Sequence, residues 1–109
     1  MKRISTERAK ATQISTKVKK AVYERDNGLC VVCGAPGAPN AHYIPRSAGG
    51  LGIEENIVTL CRSCHDRFDF GDGETMAHIG DMIRAYLMEH YPDWDESKLT
   101  YRKYGDWAR

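Results

Sequence analysis

No stretch of the 109-residue sequence approaches the roughly 20 consecutive apolar residues that span a bilayer, which excludes a transmembrane helix. The first residues, MKRISTERAKATQ, also lack the apolar segment of a secretion signal, and mean hydropathy is −0.57; a soluble, unsecreted, cytoplasmic protein is expected. There is no internal repeat or low-complexity segment. A chain of this length suits one small domain and leaves no room for a second. Such a domain buries only about two thirds of its unfolded surface, so a metal or another staple is expected to support the core.

Net charge is nearly absent as well, at +1, but the balance conceals an asymmetry. Residues 1–25 carry eight basic side chains against Glu7 and Glu24, a local charge of +6 that leaves −5 for the remainder. A basic end of this kind favours phosphate polyanions, although short tails rich in Lys and Arg often serve solubility alone. Residues 1–15 read as a mobile or partly helical arm with no core contribution. Residues 16–109 read as a single domain, with a motif core over 27–70 and a C-terminal helical extension over 74–109.

Within that domain, Ser15 or Thr16 as cap and the spacing of Val18, Ala21, Val22 and Arg25 predict a helix over 16–26, stopped by Asn27-Gly28. Residues 29–34 form a tight knuckle, and residues 35–40 cannot continue a regular element. Ala41-His42-Tyr43-Ile44 reads as a strand ended by Pro45, and Asn56–Leu60 as its returning partner. A short helix from Cys61 to about Phe70 follows. The stripe Met76, Ile79, Met82, Ile83, Tyr86 and Leu87 then predicts a helix over 74–90 whose apolar face is core. Trp94, Leu99, Tyr101, Tyr104 and Trp107 suggest that the tail packs back onto the domain.

The four cysteines are few but patterned. Cys30-x-x-Cys33 and Cys61-x-x-Cys64 are two thiolate pairs, each able to bite one tetrahedral ion from a tight turn. A structural Zn²⁺ is the leading reading, with a disulfide pair or an iron–sulfur cluster as alternatives. Four sulfurs close such a site, so the ion would hold the fold and perform no chemistry.

His42 on the first strand, Asn56 before the second and His65 directly after Cys64 are then the unusual polar residues. Taken singly, each has an ordinary structural explanation: a strand histidine, a turn asparagine and a spare zinc ligand. Their ordered combination is more specific. Cys30-x-x-Cys33, Ala41-His42-Tyr43-Ile44-Pro45-Arg46-Ser47-x-Gly49-Gly50 and Asn56-Ile57-Val58-x-Leu60-Cys61-x-x-Cys64-His65 resemble the His-Asn-His (HNH) nucleases. The resemblance covers about residues 16–70 and implies an α+β, zinc-stapled ββα-metal domain of treble-clef-like form with flanking helices.

The resemblance also implies metal-dependent hydrolysis of DNA phosphodiesters. His42 would be the general base, with its second ring nitrogen held by an acceptor such as a backbone carbonyl. His65 would ligate a catalytic divalent cation (Mg²⁺, Mn²⁺, Ni²⁺ or Zn²⁺), and Asn56 would either ligate that ion or pin the long loop. Asp69, four residues after His65 on the same helix face, would be a second ligand, or else a solvated carboxylate. Arg46, Lys17, Lys19 and Lys20 would contact the backbone of double-stranded DNA with low sequence specificity. One site cuts one strand, so a monomer is expected to nick and a homodimer to break both strands. Small stand-alone proteins resembling this one often belong to phages or prophages, which makes phage packaging proteins candidate partners in a bacterial or phage-infected cell. One departure stands out: the residue before the base is commonly a ligating His, Asp or Glu, and here it is Ala41. A catalytically weak or inactive zinc module that binds DNA or protein is therefore the alternative.

The remaining features carry less. Gly49-Gly50-Leu51-Gly52 lacks dinucleotide-fingerprint spacing and reads as a loop hinge. The run Asp69-x-x-Asp72-x-Glu74 lacks EF-hand spacing, and His78 and His90 are expected at the surface.

Overall fold

The computed structural model describes residues 6–102. Helix α1 spans Thr6–Thr12 and α2 Thr16–Asp26, strand β1 spans Ala38–His42 and β2 Ile57–Leu60, and helices α3 and α4 span Arg62–Phe70 and Gly73–His90. Single 3-10 turns occupy Arg46–Ala48 and Glu96–Lys98. The β1–β2–α3 succession is the ββα unit, so the α+β expectation holds. Among the described residues no helix is long and apolar enough to cross a membrane.

Local chemistry sets the boundaries. The Ser15 hydroxyl accepts from the Val18 N–H at 3.2 Å to start α2, and Asn27, at φ 57°, ends it at the predicted residue. Asp72 accepts from the Thr75 N–H at 2.7 Å and starts α4 at Gly73, one residue earlier than expected. Cys61 caps α3, its sulfur receiving the Cys64 N–H at 3.4 Å.

Strand β1 differs from the expectation over 41–44. It runs over Ala38–His42, pairing Ala38 with Leu60, Ala41 with Val58 and His42 with Ile57, with a register shift between Ala38 and Ala41. The shift accommodates Pro39, which has no N–H to give the ladder and is tolerated at such irregularities. Tyr43 and Ile44 lie beyond the strand, where the Tyr43 N–H still reaches the Asn56 carbonyl at 2.8 Å.

Strand β2 is buried along its whole length. Its Val58 and Leu60 pack with Ala41, Cys30, Cys64 and the Ile79, Ile83 and Leu87 stripe of α4. Met76, expected in that stripe, is 37% exposed because the buried face begins one turn later. In the tail, Trp94 packs against the core and donates its indole N–H to the Glu55 carbonyl at 2.8 Å, while Leu99 is buried and its carbonyl accepts from the Leu51 N–H at 2.8 Å. Tyr104 and Trp107 lie outside the described residues.

Of the N-terminal arm, the described residues 6–15 take the partly helical alternative, with α1 docked through buried Thr12 and through the Ala11 carbonyl, which accepts from the Gly52 N–H at 2.9 Å. Gly52 is more than a hinge, since a Cβ there would lie 2.1 Å from the Gln13 carbonyl oxygen. Arg25, counted with the phosphate-seeking charge, is spent inside the fold. Its guanidinium grips buried Asp26 at 2.7 and 3.0 Å and donates to the Ile57 carbonyl at 2.8 Å. Asp26 also accepts from the Thr59 N–H at 2.9 Å and the Tyr86 hydroxyl at 2.5 Å, which ties α2 to β2 and α4.

Burial pushes the Asp26 carboxyl up, but the bonds from Arg25 and Tyr86 outweigh it and hold the group below its usual range. Its contribution to stability is therefore full above the unfolded-state value of about 3.9 and is lost as pH falls through the lower folded value. Breaking a buried pair costs about 3–5 kcal/mol. An Asp26→Ala variant is expected to melt at least ~10 °C lower in a thermal scan; an unchanged midpoint would contradict this role.

Candidate metal centre and active site

The knuckle between α2 and β1 supplies Cys30 and Cys33. It closes through the Gly34 N–H to the Cys30 carbonyl at 2.9 Å, with Gly34 at φ 82°, where a side chain would be strained. Cys61 and Cys64 come from the start of α3. All four Sγ atoms lie within 4.8 Å of one another, and Cys33 and Cys61 are 3.5 Å apart. A tetrahedral ion with zinc–sulfur bonds of about 2.3 Å needs sulfurs roughly 3.8 Å apart. The donor set thus fits a structural zinc ion, whereas disulfides would draw the sulfurs together two by two.

Burial pushes the Cys30 thiol up, but the N–H groups of Cys33, Cys61 and Val32 outweigh this and bring it down to about 7. Burial and the three neighbouring sulfurs push Cys64 upward. A cation held by the four sulfurs would let all of them ionise.

His42, at the end of β1, is half-buried, and its Nε2 lies 2.9 Å from the Thr12 carbonyl oxygen. A carbonyl can only accept, so Nε2 carries the proton and the neutral ring keeps its lone pair on Nδ1. The ring's pKa is held below the usual value by burial first, and by the charges of Arg46 and His65; the Thr12 carbonyl and Asp69 pull the other way. His42 is therefore neutral at pH 7.

His65 sits on α3 directly after core residue Cys64. Its Nε2 is 3.3 Å from Asp69 Oδ2, so the i,i+4 spacing does bring the two predicted ligands together. His65 also lines a surface groove of about 340 Å³ with Asn40 and Arg62.

Asn56 is fully buried. Its Oδ1 accepts from the Ile44 N–H at 2.8 Å, and its Nδ2 donates to the carbonyls of Ile44 at 3.1 Å and Leu51 at 2.8 Å. That geometry pins the loop between the strands. Asn56 as a ligand of the catalytic ion is thereby corrected, because its oxygen is engaged and turned into the protein.

Ala41 is likewise fully buried, packed in the core with Cys30 and Val58. A ligating side chain at this position would have to enter that apolar cluster, so the missing ligand is a feature of the packing. Arg46 is exposed at the start of its 3-10 turn, and Lys17, Lys19 and Lys20 are exposed on α2. His78 and His90 are exposed on α4 as expected.

The Asp26–Arg25 pair has no motif and escaped the sequence. A backbone-carbonyl acceptor for His42 was expected, but that Thr12 supplies it has no residue signature; the crowded Gly52 is the one hint of the arm's docking.

Residues 30–68 match the family model for the HNH endonuclease. Anaredoxin of Nostoc sp. (strain PCC 7120 / SAG 25.82 / UTEX 2576) is 36% identical over 58 residues, which cover 51% of this chain and 76% of that protein. Residues 30–68 are an HNH endonuclease domain. The HNH match takes in the four cysteines, His42, Asn56 and His65, and it ends one residue before Asp69. Helix α1 lies wholly outside it.

Because metal binding at such a cluster is folding energy, stripping the ion is expected to abolish cooperative unfolding near the native midpoint, and Cys33→Ala to do the same. Elemental analysis should find one zinc per chain in colourless protein. An undiminished melting temperature after metal removal would contradict the staple.

Proposed function

We propose that the protein is a divalent-metal-dependent DNA endonuclease that hydrolyses phosphodiester bonds with low sequence specificity. The observation that carries this reading is His42 at the end of β1, fixed through Nε2 on the Thr12 carbonyl at 2.9 Å and with no Nδ1 partner among the described residues, together with the His65–Asp69 pair, 3.3 Å apart on α3. Nδ1 of His42 takes the proton of the attacking water, while the Thr12 carbonyl keeps the ring in the tautomer that can do so. His65 and Asp69 fit a divalent cation, one imidazole nitrogen and one hard oxygen with positions left for water and phosphate. Such an ion supplies neutralisation of charge on the phosphorane and the leaving oxygen.

Arg46 lies within electrostatic reach of His42 and is the natural grip for the phosphate there. Lys17, Lys19 and Lys20 add backbone attraction without sequence choice, so binding weakens steeply with salt. One site of this kind nicks one strand, and a homodimer or a phage packaging partner would convert nicks to breaks. A bacterial or phage-infected cytoplasm would supply both the DNA and the reducing conditions that four thiols need.

The buried Ala41 favours a second reading, a metal-stapled module that binds DNA without cutting it. His42→Ala separates the two. A nuclease loses about 10²–10⁴-fold in nicking rate while DNA binding and the Cys-bound metal persist. A variant that nicks as fast as the parent would sink the mechanism. The depressed pKa adds a second expectation: the rate rises with pH through an inflection below about 6.5 and then levels, because only the protonated base is inactive. A rate that keeps climbing above pH 7 would speak against His42 as the base.

A further inference from the structure

We infer that helix α1 is a positioning element of the catalytic base, and that its docking decides whether His42 is held in the productive tautomer. The inference rests on the endonuclease reading, to which it adds a part contributed from outside the HNH match. A seven-residue helix is too short to be stable alone, so α1 owes its order to its contacts.

Those contacts converge on its C-terminal carbonyls, which a helix leaves without internal partners. The Ala11 carbonyl accepts from the Gly52 N–H at 2.9 Å, and the Thr12 carbonyl is bonded to His42 Nε2 at 2.9 Å. At the other end of the helix, Arg8 Nη2 donates to the carbonyls of Arg46 at 3.1 Å and Ser47 at 3.3 Å. The same loop is held on its far side by Asn56 and by the tail, through the Tyr101 N–H to the Gly49 carbonyl at 2.7 Å. Helix α1 is thus clipped to the loop at two points, Arg8 and Gly52, and what it delivers between them and its end is the acceptor for the base.

The other charged and titratable groups that act on His42 are Arg46 from the loop and His65 and Asp69 from α3. None of these can replace the Thr12 carbonyl without giving up its own place as phosphate grip or ion ligand. Undocking α1 therefore frees the Nε2 proton, and with it the ring's orientation and tautomer, while β1, β2, α3 and the four cysteines are untouched. Partners that orient a site histidine in this way are worth about 10–100-fold in activity.

The full-length Gly52→Ala variant tests this, because its added Cβ would lie 2.1 Å from the Gln13 backbone oxygen and must displace the arm. Arg8→Ala is the milder companion should the first fail to fold. Two readouts are taken: the ring Nε2-bound proton of His42 by NMR, and kcat and KM for plasmid nicking. The expected result is a protected Nε2 proton in the parent that exchanges away in the variant, with kcat down about 10–100-fold and KM for DNA within about twofold. A variant that keeps the protected proton, or that loses it with kcat unchanged, overturns the inference. If the parent nicks nothing, the endonuclease reading fails by itself, and the ring proton still decides whether α1 holds His42.

Discussion

Four sulfurs drawn within 4.8 Å of one another are the constraint from which the remainder of the domain follows. They fasten the knuckle after α2 to the first turn of α3, and everything between these anchors must form a loop that leaves and returns. The hairpin of β1 and β2 is that loop. Cys61 belongs to the cluster and also caps α3, and Cys64 enters the core, so the next residue, His65, has its direction fixed by the cluster. The cysteine cluster sets the helix that carries half of the candidate active site against the strand that carries the other half.

A hairpin with a long connection would still leave His42 poorly fixed, and three further grips address this. Asn56 uses its whole amide inside the protein to hold the chain at Ile44 and Leu51. The tail pairs with Gly49, Gly50 and Leu51, and α1 closes over Gly52. Gly50 and Gly52 are required by these approaches, since a Cβ at Gly50 would collide with the Ile44 carbonyl at 1.6 Å. Beneath the hairpin, the Arg25–Asp26 pair binds α2 to β2 with charge-assisted bonds in a nearly dry setting, where their strength is greatest. A domain with so small an apolar core is held by specific polar contacts at each place where two segments meet.

Much of this was legible in the residues because several signals are local and chemical. The C-x-x-C pairs, the Asn27-Gly28 stop, the spacing of His65 and Asp69 and the stripe of α4 each depend on neighbours in sequence, and each appears where the pattern puts it except that the buried stripe starts at Ile79 rather than Met76. What was hidden depends on distant backbone. The Thr12 carbonyl that holds His42 has no side-chain signature, and the arm's polar composition concealed a docking made by main-chain bonds. Pro39 argued against a strand and was accommodated by a register shift. Asn56 was ambiguous by composition, since an amide suits an ion or a loop equally, and only its complete burial decides between them. Arg25 counted as free charge in the sequence and is bound inside the fold, to Asp26 and the Ile57 carbonyl.

The account's central claim is that this metal-stapled frame presents a hydrolytic site that works only with an added divalent ion. Supercoiled plasmid incubated with zinc-replete protein, with and without Mg²⁺ or Mn²⁺, tests it directly. Nicked circles that form only with the added ion and cease with EDTA are the predicted result. Folded, zinc-replete protein that binds the plasmid yet leaves it intact with Mg²⁺, Mn²⁺, Ni²⁺ and Zn²⁺ alike would contradict it.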